Sequence, residues 1–241
     1  MTEESLDPMG LAIQDYFNGV KDAVIRVDTN LTEDEELPAY HLFRNFDELP
    51  VLEKTAIEMT KGRTLDVGCG SGCHSVVLQE RGVDVKAIDI SRSSCEVASQ
   101  QGVKDVACID FFELKNEKFD SLLFLMNGIG LVQTLGGLDR FFTHIKTLMK
   151  PDSQILLDSS DVVYMFEEED GSFMINLNDE YYGEMEYFLS YKGVKGEPFK
   201  WLYLSYELLH DKALEYGFAC EKIMDGEHYD YLARIKFSES E

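Results

Sequence analysis

The chain has 241 residues, is 44% apolar and carries a formal net charge of −24 at pH 7. A surface that negative repels phosphate backbones and anionic bilayers, and no Lys/Arg run relieves it, so neither nucleic acid nor membrane is an expected partner. The acidic start MTEESLDPMG lacks the charge and apolar stretch of a signal peptide, and the longest uninterrupted apolar run is the short 122–126, so a cytoplasmic location is expected. The length suits one α/β domain with additions. Five cysteines, at 69, 73, 95, 108 and 220, include no CxxC pair and fit reduced thiols, with no metal site implied.

In chain order, Leu11, Ile13, Tyr16, Phe17 and Val20 have the spacing of an amphipathic helix, followed by acidic residues 33–36 and the stretch LPAYHLFRNFDELP. Thr64, Leu65 and Val67 then supply a buried strand that runs into LDVGCGSG, with glycines at 68, 70 and 72. From Ser75 the pattern Val76, Val77, Leu78 reads as a helix stopped at Gly82, so the glycines occupy a strand-to-helix turn. Glycines there can take positive φ and carry no Cβ, which lets backbone amides face a ligand. A second strand, 83–88, ends in Asp89, 21 residues beyond Gly68, where a carboxylate is placed to accept hydrogen bonds from both hydroxyls of a ribose.

The spacing separates two cofactor classes. A dinucleotide turn of the GxGxxG type needs glycine at 73, where this chain has Cys73, and Asp66 stands two residues before the first glycine. That carboxylate repels a pyrophosphate and suits a ligand bearing an ammonium group and a sulfonium centre, which favours S-adenosylmethionine over NAD. Cys69 reads as a small residue tolerated by the tight turn, and His74 as topping the first helical turn near the cofactor's methionine end.

LDVGCGSG followed by AIDIS resembles the first two motifs of the class I S-adenosylmethionine-dependent methyltransferases. The resemblance implies an α/β fold with a doubly wound, seven-stranded, mostly parallel sheet and an antiparallel last strand, preceded by an N-terminal helical lid over 1–62. The domain proper is expected over 63–237, with an insertion at 159–203 that carries a β-hairpin. It implies strands at 106–109, 119–126 and 154–157, a helix at 138–149, and a closing antiparallel pair at 218–224 and 231–237. Gly68, Cys69, Gly70, Gly72, Asp66, His74, Asp89 and Ile90 are then expected to line the cofactor. Asp110 sits where the family places a carboxylate on the adenine amino group, Phe111 where it has an apolar wall, and Asn127 at the edge where the methyl group is exposed. The NPPY or DPPY motif of amide and exocyclic-nitrogen methyltransferases is absent, since the fourth strand ends MNGIG.

Acceptor choice is expected in the two added regions. In the leading one, Arg44 is a cation for the methionine carboxylate, with a surface pair to Asp47 or Glu48 as the alternative; Tyr40, His41 and Phe43 are placed in the same lid. In the insertion, residues 184–191 alternate Met185, Tyr187, Leu189 and Tyr191 on one face, and 198–204 alternate Phe199, Trp201 and Tyr203. Ser205 is placed to cap a final helix ended by Gly217. Asp161, Glu167, Glu168, Glu169, Asp170, Asp179, Glu180, Glu184 and Glu186 form an acidic run that is either a solvated loop or a rim for a cationic or amine substrate. Methyl transfer to a small-molecule acceptor by in-line displacement needs alignment more than a base. His41, Asp158 and Tyr187 are the candidates should a proton have to leave. An aminopropyl transferase, a non-catalytic cofactor-binding protein and an NAD-linked enzyme are the alternatives; a monomer or a homodimer is compatible with the sequence.

Overall fold

The computed structural model describes residues 6–168, 170–174 and 180–238. In order run α1 (Pro8–Phe17), β1 (Val24–Thr29), β2 (Glu35–Pro38), α2 (Val51–Met59), β3 (Thr64–Val67), α3 (Cys73–Glu80), β4 (Val85–Asp89), α4 (Arg92–Gln100) and β5 (Asp105–Cys108). Then come β6 (Phe119–Phe124), α5 (Gly137–Leu148), β7 (Met149–Ser160), β8 (Glu184–Tyr191), β9 (Val194–Lys195), β10 (Phe199–Leu202), α6 (Tyr206–Glu215), β11 (Phe218–Asp225) and β12 (Asp230–Phe237). Seven strands form a sheet in the order β11–β12–β7–β6–β3–β4–β5. β6 and β7 are parallel, as are β4 and β5, while β12 runs antiparallel to both β7 and β11. This is the doubly wound sheet with an antiparallel last strand that the motifs imply.

Two compact units divide the chain. The first comprises the described residues of Met1–Leu49, Leu65–Leu114 and Glu186–Phe199. Its leading part is only partly helical: after α1, β1 and β2 pair antiparallel, and β1 also pairs antiparallel with β8. The expectation of a purely helical lid passed over these strands, although Val24, Ile25 and Val27 are β-branched and Ile25 is fully buried. The apolar face of β8 closes on α1 and β1, with Tyr191 and Leu189 packed around Ala12, Ala23 and Ile25. A second anchor is polar: the Tyr191 hydroxyl and the Lys192 ammonium both donate to Asp15 Oδ2, at 2.8 and 2.7 Å.

The second unit comprises the described residues of Pro50–Thr64, Lys115–Met185 and Lys200–Glu241. The stripe Leu138, Phe141, Phe142, Ile145 and Leu148 of α5 is wholly buried. Phe141 meets Phe124 and Phe142 meets Phe218, with ring centroids 5.2 and 5.7 Å apart; full burial is worth about 1.5–3 kcal/mol for each such ring. β7 is longer than the expected 154–157 and passes through Pro151. Its register against β6 slips between Phe119 and Ser121, and Pro151 and Asp152 are exposed at the irregularity, where a missing N–H costs no ladder bond. Ser205 caps α6 by accepting from the Leu208 amide, and Gly217 ends it with φ 78°.

Candidate functional site

The first unit holds the glycine turn. Gly68, Gly70 and Gly72 have φ of 71°, 54° and 89°, a region that costs any residue with a Cβ. Their surroundings differ. A Cβ on Gly72 would stand 3.0 Å from both Ala98 and Val103, so this glycine lets α3 pack closely. A Cβ on Gly68 or Gly70 would meet nothing within 4 Å, so these two glycines present bare backbone to open space. The amides of Gly68 and Cys69 both donate to the Ile88 carbonyl, at 2.9 and 3.0 Å, which fixes the turn against the end of β4.

Asp89 completes this edge. Its Oδ2 accepts from the Gly70 amide at 2.9 Å and its Oδ1 from the Ser91 amide at 2.8 Å. Burial pushes its carboxyl above the usual range; the Ser91 and Gly70 bonds oppose the shift, and the charges of Asp7 and Asp66 add to it. A carboxylate has about four lone-pair sites, so both oxygens retain capacity for further donors. The next residue, Ile90, is 77% exposed beside this edge. Asp110 is exposed and accepts from the Phe112 amide at 2.7 Å, while Phe111 beside it is buried.

Asp66 and His74 face inward. Asp66 is 2% exposed and accepts from the Ser75 hydroxyl at 2.6 Å, which ties the end of β3 to the first turn of α3. Burial pushes its carboxyl up, while the buried His74 imidazole and the Ser75 hydrogen bonds pull the other way. Asp66 therefore holds the shape of the turn in this structure. Cys69 is also buried, and burial together with the Asp66 and Asp89 charges pushes its thiol far above its ordinary value, so it has the character of an inert packing residue.

The leading segment is strapped to the turn. The Ser71 hydroxyl donates to the Leu42 carbonyl, and Gln101 Nε2 donates to the Ser71 carbonyl at 2.7 Å. Around Leu42, the Tyr40 and His41 rings lie 4.0 Å apart and Phe43 lies 4.7 Å from Tyr16. Arg44 follows directly, its Nε donating to the His41 carbonyl at 2.6 Å. Tyr187 stacks on Phe199 at 5.7 Å.

The second unit has its own polar centre at Asn127. Met126 and Asn127 both take positive φ, 58° and 56°. The Asn127 amide donates to Asp158 Oδ2 at 3.1 Å, its Nδ2 donates to the Leu202 carbonyl at 3.2 Å, and its Oδ1 accepts from the Ser159 hydroxyl at 2.6 Å. Its carbonyl accepts from Trp201 Nε1 at 3.1 Å, and a Cβ on Gly130 would collide with that indole. Asp158, a candidate base, thus serves here as an acceptor that holds a turn. Ser71, Ser75 and Ser159 were not read as site residues from the sequence, and Trp201 only as part of the aromatic face of the inserted hairpin.

Part of the acidic run is occupied. Glu184 accepts from the Leu135 amide at 2.9 Å and lies 3.5 Å from Lys200, which also pairs with Glu180. Asp161 accepts from the Val163 amide and the Tyr182 hydroxyl, at 2.9 and 2.8 Å. Glu169 and Asp179 lie outside the described residues. Glu184 therefore belongs to the framework rather than to an open rim. Among the described residues, no group of three or more His, Cys, Asp and Glu side chains could hold a metal ion, and no helix is long and apolar enough to cross a membrane.

Residues 65–157 match the family described as a methyltransferase domain. Over nearly its whole length, the chain is similar to the crystal structure of a SAM-dependent methyltransferase from Bacteroides fragilis in complex with S-adenosyl-L-homocysteine. Identity is 44%, the match covers 97% of this chain and 96% of that one, and the TM-score is 0.91. The chain belongs to the class I S-adenosylmethionine-dependent methyltransferases. S-adenosylmethionine is accordingly the methyl donor of this methyltransferase. Among curated proteins, the ubiquinone biosynthesis O-methyltransferase of Rickettsia akari is 26% identical over 103 residues, 42% of this chain and 41% of that protein. The methyltransferase spans about two fifths of the length of the curated relatives it matches. The structure of a Pyrococcus horikoshii protein, 19% identical over 78% of this chain and 88% of that one with a TM-score of 0.58, shares the fold.

Proposed function

We propose that this methyltransferase acts on a small-molecule acceptor and that the first unit's glycine edge holds the cofactor. The observation that carries the reading is the pair Gly68 and Gly70, open where a Cβ would project, with the Asp89 carboxylate hydrogen-bonded at their rim. On this reading Asp89 accepts from the ribose hydroxyls, Ile90 and Phe111 form apolar walls for the adenine, and Asp110 accepts from its amino group. The bare backbone of 68–72, whose amides at 68, 69, 70 and 72 are bonded within the chain, packs against the methionine end, where Arg44 supplies a cation for the carboxylate. Asp66 and His74 support the turn from inside.

The bound sulfonium supplies an electrophilic methyl group and a good leaving group, so the chain's own task is to align and to exclude water. Asn127, held from four directions, is the residue we assign to shape the reaction edge. Proton removal is secondary in this scheme, and His41, Asp158 and Tyr187 keep their candidacy only for acceptors that lose a proton. The net charge of −24 supports a small acceptor over a polyanion. The engagement of Glu184 and Glu180 with Lys200 removes these two from an acidic rim dedicated to amines.

The test is transfer of labelled methyl from S-adenosylmethionine to a fractionated cell extract. Label in the small-molecule fraction is the expected result; label confined to protein or nucleic acid would refute the small-acceptor reading.

A further inference from the structure

We propose that the leading helix α1 is a positioning element for the cofactor: Asp7, acting through Ser91, fixes the backbone that presents the Asp89 carboxylate to the ribose. The proposal rests on the ribose reading of Asp89 given above and adds residues that need not touch the cofactor.

Asp7 caps α1 with one oxygen, Oδ1 accepting from the Gly10 amide at 2.8 Å. A cap needs no more than that. The second oxygen is aimed at another part of the chain, Oδ2 accepting from the Ser91 hydroxyl at 2.5 Å across 84 residues of sequence. Ser91 is itself the cap of α4, its hydroxyl accepting from the Ser94 amide at 3.0 Å, and its own amide donates to Asp89 Oδ1 at 2.8 Å. With its proton committed to Asp7, the hydroxyl offers only lone pairs to Ser94, so both the rotamer of Ser91 and the start of α4 are determined. The backbone amide that holds Asp89 belongs to the same residue.

Gly10 gives a second, independent observation. α1 packs against α4, and a Cβ on Gly10 would stand 2.6 Å from Ser91 Oγ and closer still to the Asp7 carboxylate. Helix interiors disfavour glycine by about 1 kcal/mol relative to alanine, and here the missing Cβ is what leaves room for the Asp7–Ser91 contact. The charge of Asp7 also reaches Asp89, adding to the burial that pushes that carboxyl up.

The experiment is isothermal titration of S-adenosylhomocysteine and of its 2′,3′-dideoxy analogue into the full-length protein and its Ser91→Ala, Ser91→Thr and Gly10→Ala variants. Ser91→Ala and Gly10→Ala are expected to weaken S-adenosylhomocysteine about three- to tenfold, the scale of one perturbed hydrogen bond. The dideoxy analogue should change less than about twofold by the same logic, and Ser91→Thr, which keeps the hydroxyl, should restore affinity. Gly10→Ala perturbs the same contact from the side of α1, its methyl displacing the flexible Asp7 side chain, and thermal unfolding of each variant run beside the titrations tells a lost helix cap from a lost cofactor contact. Equal losses for both ligands, or no loss for S-adenosylhomocysteine, would overturn the proposal. Asp89→Asn separates the two possible failures: if it too leaves ribose discrimination intact, the ribose reading falls and the proposal with it. If it abolishes discrimination while Ser91→Ala and Gly10→Ala do not, only the proposal falls.

Discussion

Asp89→Asn is the sharpest perturbation of the cofactor edge, because it preserves shape while removing one acceptor and the charge. The two carboxylate oxygens face two backbone donors, Gly70 N at 2.9 Å and Ser91 N at 2.8 Å. An asparagine offers one oxygen, so its amino group must face the other amide, donor against donor, and the turn shifts at one of the two positions. The ribose hydroxyls lose a charged acceptor as well. A hydrogen bond to a charged group is worth about 1.5–3 kcal/mol, which converts to a ten- to 150-fold rise in the dissociation constant at about 1.4 kcal/mol per tenfold. The ligand-free fold loses one of these two backbone bonds as well, a cost partly offset because burial already disfavours the Asp89 charge. Calorimetric titration with S-adenosylhomocysteine, run beside thermal unfolding of the free protein, separates the two effects. An affinity within about threefold of the parent, on the same hydrogen-bond scale, would remove Asp89 from the cofactor site and with it the reason for reading the turn as this cofactor's.

Asp66→Asn tests the inward reading of that carboxylate. With its folded pKa raised by burial, the folded state keeps a proton that the unfolded chain has released, so the parent gains stability relative to the variant as pH falls through the folded pKa toward the unfolded value. Urea stabilities of both proteins across that range should diverge in this sense, and a flat difference would contradict it. At Asn127, exchange for glycine removes two side-chain bonds at a cost of about 2–3 kcal/mol, and alanine should cost about 1 kcal/mol more because of its left-handed backbone; equal urea midpoints for the two variants would deny that geometry. Asp15→Asn should loosen β8 from α1, seen as faster amide exchange in residues 187–191, with a global loss below about 1 kcal/mol because the pair is half exposed. Unchanged exchange there would rule out the anchor.

The parts of this fold that were legible in the sequence are those where one residue type answers one geometric need. The alternate glycines marked a turn with positive φ, and the five apolar positions of α5 marked a helix because a 3.6 period has no other use there. Asp89 was found because it stands at a strand end at the right distance from the turn. The strands β1 and β2 were missed because β2 is four residues of Glu-Glu-Leu-Pro, whose acidic start reads as loop and whose pairing depends on β1 and, through it, on β8, some 150 residues later. Register with a distant strand is not a local property. The same holds for Glu184, which looked like part of a solvated acidic run until the chain brought Leu135 and Lys200 to it. Ser91 and Trp201 acquire their meaning only from partners 84 and 74 residues away.

Under the proposed function, with Asn127 at the reaction edge, what the second unit stabilises bears on how the transfer gains rate. Residues with side chains in unfavourable backbone regions cost of order 1–3 kcal/mol each and persist only where the surroundings over-determine them. Met126 and Asn127 are two in succession, and Asn127 alone is held by Asp158, Ser159, Leu202 and Trp201. Glycine at both places would take the same backbone with less strain but without the side-chain bonds that Asn127 makes. Spending polar contacts and backbone strain on one rigid corner suits a reaction in which the leaving group is already good and the barrier depends on angle and distance. It suits poorly a reaction limited by proton transfer, where a titrating side chain would be the object of such care. Among the candidate bases, Asp158 is itself one of the contacts that fix the corner. Acceptor selectivity then follows from which nucleophile can reach past this fixed corner, rather than from the strength of any base.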